Sequence, residues 1–181
     1  QVDLTTPAGA DCDNVTINTC TAAATILEND AVQIDISGPA AAAEGTRFVF
    51  DVTLSAVSEQ TISVDWSTAD IDALAGLDYT AVGATTITFN AGTTGLTVGV
   101  DALDDAINEC DEQFQVDLTT PVGADCANVT ITTDTASATI NANDPLQMDV
   151  AAPADGNEGT RFVFSVTLDV ASDQTVTADY S

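Results

Sequence analysis

The residues in this chain that are best suited to chemistry are carboxylates crowded into short segments. The densest segment holds Asp104, Asp105, Glu109, Asp111 and Glu112. Paired carboxylates either exchange protons with a substrate or hold a cation. The chain has no His and no Lys, and no serine lies in a nucleophile motif, so nothing completes an acid–base or nucleophilic centre. The segment therefore predicts cation binding, and we expect the protein not to be an enzyme.

The charge balance of the chain also favours cations as ligands. The 181 residues include 29 acidic and 2 basic side chains, with a formal net charge of -27. Such a polyanion repels the phosphates of nucleic acids and the anionic lipids of a membrane surface. No apolar run approaches the roughly 20 residues that a spanning helix needs. We expect no nucleic acid partner and no direct membrane insertion. A purely solvating acidic coat is the alternative role for these charges.

An internal repeat organises the chain. EGTRFVFDVTL at 44–54 returns as EGTRFVFSVTL at 158–168, and QVDLTTPAGADC at 1–12 returns as QVDLTTPVGADC at 115–126, both with an offset of 114 residues. Self-similarity in one register is the signature of tandem repeats. The predicted division is the end of one repeat at 1–30, a complete repeat at 31–144 and the start of the next at 145–181. We expect an excerpt of a longer array; the alternative is a subunit whose open ends complete each other's sandwich.

Within the complete repeat, apolar and polar residues alternate with a period of two. Seven short strands are predicted, lettered A to G in chain order, at residues 32–36, 48–54, 62–66, 87–89, 96–100, 114–118 and 136–140. Strands with one apolar face each predict an all-β, two-sheet sandwich. No helical crossover is visible, so neighbouring strands should run mostly antiparallel. Trp66 falls on the inward face of strand C and is predicted to lie in the core.

This strand pattern places most acidic residues of the repeat at one end of the sandwich. If consecutive strands run up and down, the AB, CD and EF loops share one pole with the exit of strand G. That pole collects Glu44, Asp70, Asp72, Asp78, Asp101, Asp104, Asp105, Glu109, Asp111, Glu112 and Asp144. Crowded carboxylates repel by about 1 to several kcal/mol per close pair. Ca²⁺ takes about 6–8 hard oxygen ligands in loose geometry, so it is the predicted cofactor.

Several segments of the repeat resemble the Calx-beta domain family. They are Glu44-Gly45 before strand B, STAD at 67–70, AGLDY at 75–79, TITFNAG at 86–92, VDALDDAINECDEQF at 100–114 and ATINAND at 138–144. The resemblance covers the complete repeat and, through the repeat, both partial copies. It implies immunoglobulin-like, seven-stranded antiparallel β-sandwich repeats in tandem, each with several Ca²⁺ ions at one pole.

Position by position, the resemblance also implies a ligand set. In the complete repeat the ligands are Glu44, Asp70, Asp104, Asp105, Glu109, Glu112, Asp144 and the backbone carbonyl of Ile107; in the partial copies they are Glu28, Asp30 and Glu158. The sequence departs from the family's richest sites at Ala106 and at the strand G exit, where Asp144 stands in place of three consecutive Asp. Both departures predict fewer or weaker ions. Asp72 and Asp78 are equally well explained as turn formers.

The four cysteines lack metal-binding spacing and favour disulfides in an oxidising compartment. Cys12 and Cys126 are repeat equivalents in the FG loop, and Cys110 lies in the EF loop. Three alternatives remain open. The first is a disulfide between Cys12 and Cys20, and the second is a disulfide between an EF-loop cysteine and the FG-loop cysteine of the next repeat. The third is that the cysteines are free thiols.

The short junctions between repeats lead to two functional hypotheses. Asp144 is followed at once by Pro145, so the acidic pole should lie against the opposite pole of the next repeat, and Ca²⁺ should stiffen that junction. The first hypothesis is an extracellular or cell-surface stalk, adhesin or filament, whose partners are neighbouring repeats and homopolymer or filament subunits. The second is a regulatory Ca²⁺-sensor domain of a membrane transporter, as the resembled family supplies on an ion exchanger. Near-identical copies and the extreme charge favour the first.

Overall fold

The described part of the chain forms β-strands and no helix. The computed structural model describes residues 1–3, 21–24, 31–123 and 128–181. Val, Ile, Thr and Phe recur at alternate positions in these residues, and such side chains suit the pleated, half-buried surface of a sheet. Within this part of the chain, no helix has the length and apolar character needed to cross a membrane.

The strands are numbered in chain order. They are β1 (Val2–Asp3), β2 (Thr21–Ala22), β3 (Ala31–Ser37), β4 (Ala41–Ala43), β5 (Arg47–Leu54), β6 (Ile62–Asp70), β7 (Thr85–Phe89), β8 (Gly95–Asp101), β9 (Ile107–Asn108), β10 (Glu112–Gly123), β11 (Asn128–Thr133), β12 (Thr135–Asn141), β13 (Met148–Ala151), β14 (Ser165–Leu168) and β15 (Ala171–Ser172).

Two sheets enclose the hydrophobic core. One is five-stranded with the order β4-β12-β10-β6-β7, and the other is four-stranded with the order β11-β3-β5-β8. Along β5 every second residue is buried, as the period of two requires. Phe114 of β10 contacts Phe48 of β5 edge to face, with ring centroids 5.3 Å apart, so the two sheets pack face to face. Trp66 is buried in this core, as predicted.

Each of the seven predicted strands A to G corresponds to a strand of these two sheets: β3, β5, β6, β7, β8, β10 and β12. The sheets also contain β4 and β11, which were not predicted. Both pair in parallel, β4 with β12 and β11 with β3, whereas the other pairs in the two sheets are antiparallel. No helical crossover is needed, because the partners are far apart in sequence and the intervening chain traverses both sheets before it returns.

The segment after Asp144 forms a small sheet of its own and also touches the preceding repeat. β13 and β14 pair antiparallel, with Met148 opposite Leu168. β15 pairs in parallel with β9, so that Ala171 lies opposite Ile107.

Residues Gln1–Asp30 form a compact unit separate from Ala31–Ser181. In its described part, β1 and β2 pair antiparallel, with Val2 opposite Ala22.

Candidate metal centre

The turn between β4 and β5 positions Glu44. The Glu44 N–H donates to the carbonyl of Asn141 at 3.3 Å, and the Gly45 N–H donates to the carbonyl of Leu103 at 3.2 Å. Gly45 has a φ of 69°, a left-handed conformation that glycine adopts without steric cost. A Cβ at Gly45 would lie 3.1 Å from the Cβ of Asp104. The Glu-Gly pair is therefore held between the exit of β12 and the segment that follows β8.

Three carboxylates from distant parts of the chain meet at this turn. One oxygen of each of Glu44, Asp105 and Asp144 lies within 4.8 Å of the others. Glu44 follows β4, Asp105 lies between β8 and β9, and Asp144 follows β12. The parallel pairing of β4 with β12 places Ala43 opposite Asn141, which brings two of the three segments together. The group thus depends on the order of strands in the sheet.

One carboxylate oxygen of Asp144 has no hydrogen-bond partner among the described residues. This oxygen, Oδ2, is buried. Asn108 Nδ2 donates to the main-chain carbonyl of Asp144 at 2.7 Å, which fixes the backbone and leaves the carboxylate free. An unpaired buried carboxylate oxygen is costly, and a bound cation would offset that cost.

The pKa of Glu44 is raised by its burial and by the negative charges around it. Burial raises this pKa above its ordinary value of 4.5, and the charges of Asp144, Asp105 and Asp104 raise it further, against a backbone hydrogen bond at Asn143 that lowers it. No base opposes these charges: the ion pair found among the described residues joins Arg47 to Asp101, at 2.7 Å and on the exposed surface. The group is therefore short of positive charge.

Glu109 and Glu112 extend the same cluster. Burial, followed by the charges of Asp78 and Asp105, raises the pKa of Glu109 to about 7. The pKa of Glu112 is also raised to about 7, by burial first and then by a hydrogen bond and a charge interaction with Asp78. Two carboxyls that hold protons this far above their ordinary pKa mark a place where a cation would displace protons.

Four of these carboxylates, those of Glu44, Asp105, Glu109 and Glu112, line one narrow cleft, and Asp144 is not among its walls. Its walls are Glu44, Leu77, Asp78, Leu103, Asp105, Glu109, Cys110, Glu112 and Ile140. Its volume of about 10 Å³ is close to the minimum for a single water-sized occupant. A cleft of this size can hold a monatomic ion. A site made of carboxylate oxygens suits hard cations such as Ca²⁺.

Three other predicted ligands make protein contacts. Asp70 Oδ1 accepts hydrogen bonds from the Tyr79 hydroxyl and, at 3.0 Å, from the Ala75 N–H, so it ties the 71–79 loop and lies outside the three-carboxylate group. The Cβ of Asp104 lies against Gly45. At Ile107, whose backbone carbonyl is the predicted ligand, the N–H donates to Asp105 Oδ1 at 2.7 Å and so orients that carboxylate.

Of the predicted ligands in the partial copies, the structure describes Glu158, and it is not joined to this group. Glu158 is exposed, and within the described residues it belongs to no group of carboxylates close enough to share an ion. Glu28 and Asp30 lie outside the described residues, as do Cys12, Cys20 and Cys126. Cys110 is exposed and has no disulfide partner in the described part of the chain.

Three residues of the site were absent from the predicted ligand set. Asp78 lines the cleft, Asn108 fixes the Asp144 backbone, and Asp111 Oδ1 accepts from the Ala142 N–H at 3.1 Å. Asp78 carried a sequence signal in AGLDY that turn formation explained equally well. Asn108 is a neutral residue inside an acidic segment and gave no signal.

The fold and this site define a β-sandwich protein with an oxygen-rich pole that suits cations. The chain belongs to the Calx-beta domain family, whose family model, described as "Calx-beta domain", matches residues 27–146. No curated protein matches the chain.

Solved structures share the fold. The apo-form Calx CBD1 domain is similar with a TM-score of 0.56 and 21% sequence identity, over 64% of this chain and 100% of that chain. CBD12 from CALX1.2 has a TM-score of 0.54 and 21% identity, over 60% of this chain and 44% of that chain. The calcium binding domain CBD12 of CALX1.1 has a TM-score of 0.53 and 15% identity, over 74% of this chain and 69% of that chain.

Proposed function

We propose that this chain is a segment of tandem, seven-stranded immunoglobulin-like repeats that bind Ca²⁺ and form a structural or adhesive stalk or filament outside the cell. The observation that carries the calcium proposal is the buried, unpartnered Oδ2 of Asp144 beside Glu44 and Asp105. A bound divalent ion would offset two of these three negative charges, and the ion pair found among the described residues, Arg47 with Asp101, does not involve this group. The chain acts as a ligand-binding scaffold and not as an enzyme, because the clustered carboxylates are placed as metal ligands and the sequence has no His, Lys or nucleophile motif to complete a catalytic centre.

Ca²⁺ fits this donor set better than other ions. The group offers carboxylate oxygens from separate segments, and Ca²⁺ accepts such loose, oxygen-only geometry. Mg²⁺ demands a strict octahedron and keeps several waters. Softer metals prefer His or thiolate ligands. The one thiol at the cleft is Cys110, which is exposed. One of the similar solved structures is a calcium binding domain, CBD12 of CALX1.1, which supports the same choice.

The stalk hypothesis follows from the repeat and the junction. Near-identical copies follow one another with a fixed offset of 114 residues and no flexible linker. β15 of the following segment pairs with β9, two residues from Asp105. An ion at Asp105 would therefore act next to an inter-repeat contact, where it resists bending as well as local unfolding.

A second function, a regulatory Ca²⁺ sensor, is supported by the family and by the similarity to CBD12 from CALX1.2. The two functions require different affinities. Extracellular calcium modules bind at about 10⁻⁴–10⁻³ M, and sensors bind at about 10⁻⁷–10⁻⁵ M.

Isothermal titration calorimetry of the chelator-treated chain with Ca²⁺ tests both proposals. A dissociation constant near the millimolar range, with weaker binding of Mg²⁺, supports the stalk. A micromolar or tighter constant supports the sensor and contradicts the stalk. Absence of binding heat at several temperatures contradicts both.

A further inference from the structure

The contact between β15 and β9 involves one short turn that recurs in both repeats. The sequence SDQT at 172–175 repeats SEQT at 58–61, with the same offset of 114 residues. The backbone forms the same local bond in each: the Gln174 N–H donates to Ser172 Oγ at 3.1 Å, and the Gln60 N–H donates to Ser58 Oγ at 3.0 Å. Ser172 and Ser58 are both partly buried. Each copy therefore forms this serine turn with a hydrogen bond between its own residues.

In the copy at 172–174 this turn is bound to the preceding repeat. The Ser172 hydroxyl reaches both the main-chain carbonyl of Asn108, at 3.0 Å, and its Oδ1, at 3.2 Å. The Asp173 N–H donates to the same carbonyl at 3.3 Å. A side chain and a backbone N–H thus converge on one residue of β9.

Asn108 connects this contact to the exit of its own sandwich. While its carbonyl and Oδ1 face Ser172, its Nδ2 donates to the main-chain carbonyl of Asp144 at 2.7 Å. The amide thus joins the end of one repeat to the turn of the next. Asp or Leu at position 108 could not supply both a donor and an acceptor.

We infer that the Ser-acid-Gln turn is the inter-repeat docking element of this array, and that β9, through Asn108, is its receptor. The partner of the equivalent turn at Ser58 is then the β9 segment of a preceding copy of the repeat. This inference deepens the proposed function by naming the surface through which a stalk would be assembled. It does not require that the ion be bound.

The exposed apolar residues of 145–181 do not account for the contact. Phe164 and Val166 are exposed, while their repeat counterparts Phe50 and Val52 are buried. Those side chains belong to the interior of the next sandwich, and the docking turn lies outside it.

Hydrogen exchange of the full chain, followed by mass spectrometry or NMR, tests the docking element. We expect the amide of Asp173 to be protected. Ser172→Ala and Asn108→Ala should each accelerate its exchange roughly fivefold or more, the loss expected for one hydrogen bond of about 1 kcal/mol. Ser172→Thr, which keeps the hydroxyl, should restore protection.

Ser58→Ala is the matched control. It removes the same turn serine, but the residue that would correspond to Asn108 in a preceding repeat falls before Gln1, so the exchange of Asp173 should not change. Equal exchange of Asp173 in the wild type, Ser172→Ala and Asn108→Ala overturns the inference. Calorimetry on the same samples separates the two proposals: protection that depends on Ser172 in a chain that binds no Ca²⁺ supports the docking element and contradicts the calcium function.

Discussion

The negative charge of Glu44 is unfavourable in the metal-free protein and favourable when an ion is bound. In the metal-free protein its charge is disfavoured by burial and by Asp144, which is why its pKa is raised. With Ca²⁺ bound, the same charge becomes a ligand. Replacement by a neutral isostere should therefore change stability and binding in opposite directions.

Glu44→Gln is expected to raise the melting temperature of the chelated protein and to weaken Ca²⁺ binding by at least roughly tenfold, or about 1.4 kcal/mol. Glu158→Gln is the matched control, because Glu158 occupies the repeat-equivalent position but is exposed and outside the group. Differential scanning calorimetry and calcium titration measure both effects. Equal behaviour of the two variants contradicts the assignment of Glu44.

Protons and calcium should compete at Glu109 and Glu112. In the folded, metal-free chain these carboxyls hold protons up to a pKa of about 7, whereas their ordinary pKa is 4.5. Between these values the folded state binds more protons than the unfolded state, so its stability falls as the pH rises.

The melting temperature in chelator should therefore be higher at pH 5 than at pH 8, and saturating Ca²⁺ should raise it most at pH 8. The double variant Glu109→Gln with Glu112→Gln should flatten the pH dependence in chelator. A chelated wild-type protein that is more stable at pH 8 than at pH 5 contradicts this account.

At the scale of elements, the turn between β4 and β5 is the most sensitive part of the site. Gly45 needs a left-handed φ of 69°, and a Cβ there would press on Asp104. Gly92, between β7 and β8, has a φ of 85° but nothing within 4 Å of a Cβ. Both glycines have a left-handed backbone conformation, but of the two only Gly45 has a neighbouring side chain where an added Cβ would lie.

Gly45→Ala should cost the strain of about 1–2 kcal/mol for an L residue in the left-handed region, and the displacement of Asp104 should also weaken Ca²⁺ binding. Gly92→Ala should cost a similar strain and leave binding unchanged. Denaturant unfolding and calorimetry compare the two. Unchanged Ca²⁺ affinity in Gly45→Ala would show that the turn does not position the site.

The sequence was sufficient to locate the seven strands with alternating apolar residues, because that alternation is a local signal. β4 has the sequence Ala-Ala-Ala and no such signal; it becomes a strand only because β12 lies beside it. β11 depends similarly on β3, to which it pairs in parallel. Strands that are defined mainly by a distant partner are the ones that periodicity does not reveal.

The candidate site could likewise be predicted only in part from local features of the sequence. Glu44, Asp105 and Asp144 were recognisable as carboxylates placed by loops that share a pole, and family resemblance gave the same residues. Asp70 is also in the predicted ligand set, and its Oδ1 accepts hydrogen bonds from Tyr79 and Ala75. Such hydrogen bonds within the 71–79 loop are not specified by the spacing of the acids.

At the scale of the whole molecule, calcium should act on the junction after Asp144. Asp105 of the three-carboxylate group lies two residues before β9, and β9 pairs with β15 of the following segment. Burial and the charge of Asp78 are the largest causes of the raised pKa of Glu109, and the charges of Asp105 and Asp173 raise it further, so Glu109 is repelled by acids on both sides of this contact. A bound calcium ion would reduce that repulsion and should stiffen the junction.

Small-angle scattering of the full chain should therefore show a narrower distribution of dimensions in Ca²⁺ than in chelator. Glu44→Gln, measured at the same calcium concentration, should resemble the chelated protein. Identical scattering curves for the wild type in both conditions would exclude calcium-dependent stiffening, even if the ion binds.

Anomalous diffraction from crystals grown with Ca²⁺ tests the central claim most directly. The account predicts an anomalous peak about 2.3–2.6 Å from carboxylate oxygens of Glu44, Asp105 and Asp144. Calcium peaks elsewhere on the surface, with these three carboxylates uncoordinated at saturating Ca²⁺, would contradict it.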